Sequence, residues 1–213
     1  MSRRYRRSDR IFEQLDTALR TVFAPPAHGE RDNPGDRFPL PQLTDDQRRD
    51  VSGLMRINHT GEVCAQALYL GQFATAKDPA VAEQMSHAAE EEVDHLRWCA
   101  QRLDELAAAP SKFNALWYSG AWMLGAGAGL AGDRWSLGFV VETERQVESH
   151  LDEHLRRLPA IDDRSRAILR QMRDDEAEHA EQALAAGGAP LPTPIRKTMS
   201  IAAGVMKAIV YRI

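Results

Sequence analysis

Six polar residues standing where apolar ones belong constrain this chain most. Four stretches, at 45–76, 79–109, 134–158 and 160–186, carry apolar residues at steps of three and four, the period of a helix with one buried face. In the second stretch Val81, Met85 and Ala88 lead to Cys99, Leu103 and Leu106, and the positions joining the two runs are Glu92 and His95. In the fourth, Ile168 and Met172 connect to Ala183 and Ala186 through Glu176 and His179. Glu144 follows Leu137 and Val140 in the third, and Glu62 lies seven residues from both Met55 and Tyr69 in the first. An ionised carboxylate buried without a partner is costly, so each of these groups must find a counter-charge or lose its own.

The six positions form a repeat: a lone Glu, then Glu-x-x-His, separated by 30 residues in the first half and 32 in the second. Glu-x-x-His puts carboxylate and imidazole on one helix face, because i and i+3 are neighbours there. With 7 His in 213 residues, chance supplies about half of one such pair. Two pairs, both on apolar stripes and both preceded by a matching lone Glu, exceed that expectation. Two lone Glu plus two Glu-x-x-His is the pattern of ferritin-like carboxylate proteins that hold two iron or two manganese ions. Four carboxylates and two divalent cations balance to zero, so such a site is neutral only when filled. Hard oxygens with two imidazoles suit Fe or Mn and exclude a thiolate-rich zinc site. The neighbouring Glu90, Glu91, Glu142, Glu178 and Glu181 fall off the stripes and are expected in solvent. His150 is read either as a partner for a ligand or as a surface histidine.

Ala, Leu, Glu, Arg and Gln dominate these stretches and no strand-like alternation occurs. The expected fold is all-α: a ferritin-like four-helix bundle with a hydrophobic crossover segment and a C-terminal amphipathic helix. Residues 1–44 are read as an N-terminal helix (Ile11, Leu15, Leu19, Val22) and a Pro/Gly-rich linker at 24–41, with Thr44 as the helix cap that opens the bundle. The bundle occupies 45–190 and the last helix 191–213. A net charge of -4 with mixed signs gives no electrostatic case for nucleic acid. Two cysteines, Cys64 and Cys99, make no disulfide framework, and no apolar leader follows the basic start, so a chain kept in a reducing compartment is expected.

The stretches LMRINHTGEVCAQALYLGQ (54–72), EEEVDHL (90–96), GFVVETERQVESHL (138–151) and DDEAEHAEQA (174–183) resemble, in order, the ligand segments of the di-iron demethoxyubiquinone hydroxylases of ubiquinone biosynthesis. The resemblance implies that Glu62, Glu92 and His95 chiefly bind one iron and Glu144, Glu176 and His179 the other. His150 matches a histidine near that family's site, which implies a supporting or redox-path role. Leu151 stands where some members carry Tyr, so no electron relay is assigned there. The implied reaction is O2-dependent hydroxylation of 2-polyprenyl-3-methyl-6-methoxy-1,4-benzoquinol, with no catalytic side chain beyond the metal ligands. Electrons come from an external reductant, with NADH as ultimate donor, and accessory ubiquinone-biosynthesis proteins count among the expected partners. The run Gly125-Ala-Gly127-Ala-Gly129 lacks the third fingerprint glycine and follows no strand, so it is not a dinucleotide loop.

A polyprenyl substrate requires access to a membrane. Residues 113–132 are twenty without a charge, long enough to span a bilayer. A span there would place the two half-sites on opposite sides, so an interfacial crossover is expected instead, with an ordinary buried segment as the rival. From Gln182 onward no acidic residue occurs, while Arg196, Lys197, Lys207 and Arg212 are basic. Ile195, Met199, Ala202, Met206, Ile209 and Ile213 share a helical face, the character of a basic amphipathic helix lying on an anionic membrane, with packing against the bundle as the rival that could coexist with it. Peripheral attachment on the cytoplasmic side of the cell membrane is the expectation. The alternative to hydroxylation is a ferritin-like ferroxidase or iron-binding protein; an uncharged crossover and a basic apolar tail suit a soluble shell poorly.

Overall fold

The computed structural model describes residues 7–24 and 29–213; the basic start at 1–6, the side chains of residues 7–13 (Ile11 among them) and residues 25–28 of the linker lie outside the described residues. Among the described residues there are seven α-helices and no strand: α1 (Arg7–Phe23), α2 (Asp45–Thr75), α3 (Pro79–Glu105), α4 (Asn114–Ala131), α5 (Asp133–Arg157), α6 (Asp163–Ala185) and α7 (Thr193–Val210). The four stretches read from periodicity are α2, α3, α5 and α6, and they form the ferritin-like bundle.

Local chemistry sets the helix ends. Thr44 accepts from the Gln47 backbone while the Gln47 side chain accepts from the Thr44 backbone, a capping box that starts α2. Asp78 accepts from the Ala80 amide, and Pro79 occupies the first turn of α3. Asp162 caps α6 through the Ser165 amide at 3.0 Å and also takes both bonds from Arg102, a buried ion pair that ties α3 to α6. Gly132, at φ 117°, supplies the left-handed residue that lets α4 turn directly into α5.

α2 packs along α3 and α5 along α6. The crossover is itself a helix, α4, lying along α2 and reaching α5. Two glycines permit the close approach: a Cβ on Gly125 would sit 2.2 Å from the Leu68 carbonyl oxygen, and one on Gly71 would sit 2.3 Å from that of Trp122. α1 touches α2 and α4, and α7 touches α2 and α5.

Two expectations from sequence differ in detail. In α1, Leu15 and Leu19 are exposed, and Ala18 and Val22 make the contact with the bundle. The second difference lies in the linker. Its described part, from Gly29, is a strap fixed across α3 and α6: Asn33 donates to Gln101, and Arg164 donates to Asp36 and to the Phe38 carbonyl. The Pro34–Arg37 turn within it is closed by the Asn33 side chain. Proline and glycine signalled a turn correctly, but that turn is docked.

Candidate metal centre

The apolar core falls into three clusters, and the polar positions lie between two of them. One cluster gathers Leu54, Met55, Cys99, Leu103, Leu151, Ile168 and Met172. The other gathers Tyr69, Val81, Met85, Leu137, Val140 and Ala183. Between them α2 contributes Glu62, α3 Glu92 and His95, α5 Glu144, and α6 Glu176 and His179, none more than 6% exposed. All six residues singled out from sequence are therefore buried in the bundle interior.

The two Glu-x-x-His carboxylates occupy the middle. His95 Nδ1 lies 3.0 Å from Glu92 Oε2, 3.3 Å from Glu176 Oε1 and 3.5 Å from Glu62 Oε2. His179 Nδ1 lies 3.3 Å from Glu176 Oε2 and 3.7 Å from Glu92 Oε1. Glu92 and Glu176 thus each turn one oxygen toward each imidazole. Glu62 sits on the His95 side. Glu144 accepts a 2.5 Å hydrogen bond from the Tyr69 hydroxyl. Among the described residues, Glu92 Oε1 and Glu144 Oε2 are buried without a hydrogen-bond partner.

Charge is crowded here. Burial, together with the charges of Glu92 and Glu176, pushes the Glu62 carboxyl well above its usual range, against the opposing hydrogen bond from His95. Burial and the same two neighbours push Glu144 up as well. His179 is driven up to about 10: burial disfavours its charge, but the Glu176 hydrogen bond and the surrounding carboxylates outweigh that. His95 moves the same way, with Glu92 the chief neighbour opposing burial. Glu176 moves the other way: burial opposes its charge, but its hydrogen bonds from His179 and His95 hold it down. A site that draws protons onto both imidazoles and onto Glu62 and Glu144 is one that favours cations. Glu62, Glu92, His95 and Glu176 each offer a ligand atom, all within 4.8 Å of one another. With two orphaned carboxylate oxygens alongside, this hard oxygen and imidazole set fits a divalent metal ion.

The outer nitrogens of the histidines show what the sequence did not. His95 Nε2 lies 2.8 Å from Asp175 Oδ2, and His179 Nε2 lies 2.8 Å from Glu91 Oε2. Each carboxylate immediately precedes the Glu of one motif and holds the histidine of the other. Glu91, expected in solvent, is a half-exposed partner of His179 instead. The signal was present as an acidic residue before both Glu-x-x-His runs, but acidic residues on helices are too common to stand out. A carboxylate on the outer nitrogen fixes the tautomer that leaves Nδ1 free to face inward.

His150 makes no hydrogen bond to the six residues among those described. Its ring centroid lies 5.2 Å from that of His154, whose Nδ1 is 2.8 Å from Asn58 Oδ1. Burial, aided by Lys207, pushes His150 down to about 4. Leu151 is fully buried in the first apolar cluster. Gly125, Gly127 and Gly129 lie inside α4.

An all-α ferritin-like bundle with a buried carboxylate–histidine cluster able to hold metal is the class these features define. The model of the family described as "Ubiquinone biosynthesis protein COQ7" matches residues 49–210, and the chain belongs to that family. It is 58% identical over 206 residues to a protein of Xanthomonas euvesicatoria pv. vesicatoria (strain 85-10), covering 96% of this chain and 94% of the relative. It is 56% identical over 207 residues to one of Cupriavidus metallidurans, covering 96% of this chain and all of the relative. Both relatives are named 3-demethoxyubiquinol 3-hydroxylase.

Proposed function

We propose that this chain is a di-iron 3-demethoxyubiquinol 3-hydroxylase of ubiquinone biosynthesis. The observation that carries the reading is the buried six-residue site, in a chain 58% identical along 96% of its length to a protein of that name. Glu62, Glu92 and His95 would chiefly hold one iron, and Glu144, Glu176 and His179 the other. The ions, when bound, supply the activation of O2 needed to hydroxylate the ring.

The chain's own residues prepare that chemistry. Asp175 and Glu91 hold the outer N–H of each imidazole so that Nδ1 faces the ligand carboxylates. Tyr69 holds one oxygen of Glu144. The first apolar cluster keeps water from one end of the site. Electrons come from an external reductant, ultimately NADH.

A polyprenyl benzoquinol reaches such a site from a membrane, and peripheral attachment on the cytoplasmic face of the cell membrane fits the surface. No helix among the described residues is long and apolar enough to cross a membrane. α4 carries no charge yet exposes Leu116, Met123, Leu124 and Leu130. On α7 the face expected to meet lipid is partly packed, with Met199, Met206 and Ile209 half-buried, and the exposed apolar residues beside its basic ones are Ile195, Ile201 and Val205. Accessory proteins of the same pathway are further partners on this reading.

The test combines iron-loaded protein, a short-tailed demethoxyubiquinone, a reductant and ¹⁸O2, with mass spectrometry of the quinone. One labelled oxygen in a hydroxylated ring is the expected result. Iron oxidation with unmodified quinone, with and without added membranes, would favour the ferroxidase alternative.

A further inference from the structure

We propose that the two metal positions release their ions at different rates. Arg31 is a positioning residue that locks the His95 side, and a cavity beside His179 makes that side the port of exchange. The inference rests on the two-metal reading above and adds an asymmetry that the near-symmetric ligand set does not contain.

A histidine ligand lets an ion go by swinging its ring away, which requires breaking the bond at its outer nitrogen and finding room beside it. At His95 both are blocked. Asp175 Oδ2, on the outer nitrogen, also accepts from Arg31 Nη1 at 2.8 Å, and its other oxygen accepts from Gln171 at 2.9 Å. Arg31 is anchored in turn: its backbone amide and its Nε both donate to Asp94, at 3.2 and 3.4 Å. Its guanidinium stacks 4.9 Å over Trp98, whose ring lies 5.4 Å from that of His95. The 2.8 Å bond from Arg31 to Asp175 is short and charge-assisted, and the Trp98 indole occupies the space on that side of the His95 ring.

At His179 the corresponding carboxylate stands nearly alone. Glu91 is 38% exposed, against 15% for Asp175, and its other neighbour is the exposed His87 at 3.4 Å. No arginine reaches it among the described residues. A cavity of about 140 Å³, lined by Tyr69, Gln84, Ala88, Glu91, His179 and Gln182, opens alongside. That volume has room for several waters. The ring can therefore turn into a space that already exists, after moving one half-solvated carboxylate. The strap residue Arg31 and the cavity at the opposite histidine are independent features, and both favour release at the same end.

The experiment uses the full chain loaded anaerobically with Fe(II) and mixed with excess colorimetric chelator. Wild type should release iron in two phases, one ion per chain each, differing in rate by about tenfold or more. Arg31→Ala should accelerate the slow phase about tenfold and leave the fast phase unchanged. Arg31→Lys, which keeps a charge on Asp175 but lacks the fork that spans to Asp94, should fall between. Gln84→Trp, filling the cavity, should slow the fast phase only. A single phase for both ions, or a slow phase untouched by Arg31→Ala, would overturn the inference. Uptake of fewer than two ions before chelator is added would overturn the two-metal reading itself, and this inference with it.

Discussion

The Tyr69 hydroxyl donates to Glu144 Oε1 across 2.5 Å, joining a buried phenol on α2 to a buried carboxylate on α5. Tyr at a core-facing helical position ordinarily serves packing, and Tyr69 does line the second apolar cluster. Its hydroxyl adds a second task, because Glu144 Oε2 has no donor among the described residues. Tyr69→Phe leaves both oxygens without one. The expected outcome is a loss of about 1–3 kcal/mol in stability of the metal-free chain and at least a tenfold loss in metal affinity. Urea denaturation and competitive metal titration check the two effects separately.

The α2–α4 contact can be probed with two neighbouring glycines. Gly125→Ala drives a methyl into the Leu68 carbonyl and should destabilise the chain by about 1–3 kcal/mol. At Gly127 nothing lies within 4 Å of the added carbon, so Gly127→Ala should gain up to about 1 kcal/mol of helix propensity. Thermal midpoints moving the same way in both variants would contradict this packing.

Acid should weaken the fold partly through His59. Burial pushes its imidazole down to about 4, against 6.5 in the unfolded chain. Between those values the unfolded state binds a proton that the folded state refuses, so stability is full above 6.5 and falls as pH drops toward 4. At pH 5 the cost is about 2 kcal/mol. His59→Gln should lose that much less than wild type between pH 7 and pH 5, measured as the difference between their urea curves.

Membrane contact is testable on α7 without truncation. Ile201 is 68% exposed and Val205 53%. Burying them in lipid contributes about 1.5–3 kcal/mol each, and an aspartate at either position also opposes anionic headgroups. The double variant Ile201→Asp, Val205→Asp should bind anionic vesicles at least tenfold more weakly, with unchanged helicity. Equal flotation of variant and wild type would remove α7 from the membrane account.

Sequence carried the frame of this molecule because its signals are local. Thr44 marks a helix start within a turn of chain, and Glu92 or His179 shows itself by interrupting an apolar stripe. The contacts that sequence missed join residues far apart. Asp175 and Glu91 look like solvated carboxylates until a histidine 80 or 88 positions away is placed beside them. Arg31 lies in a segment without periodicity, and its partners Asp94, Trp98 and Asp175 come together only when α3 and α6 pack. In α1 the pattern marked a helix, yet it did not say which side meets the bundle: Ala18 and Val22 do, while Leu15 and Leu19 are exposed.

The crossing of the outer carboxylates has one more consequence. Each helix pair carries its own Glu, Glu and His, but the residue that orients its histidine belongs to the other pair. One pair alone would hold three ligand residues around an imidazole free to turn either nitrogen inward. Two copies of the same pair, related by a half-turn, would complete each other. The bundle has the internal logic of a symmetric dimer written into one chain, and any drift in the docking of one half misaligns the histidine of the other.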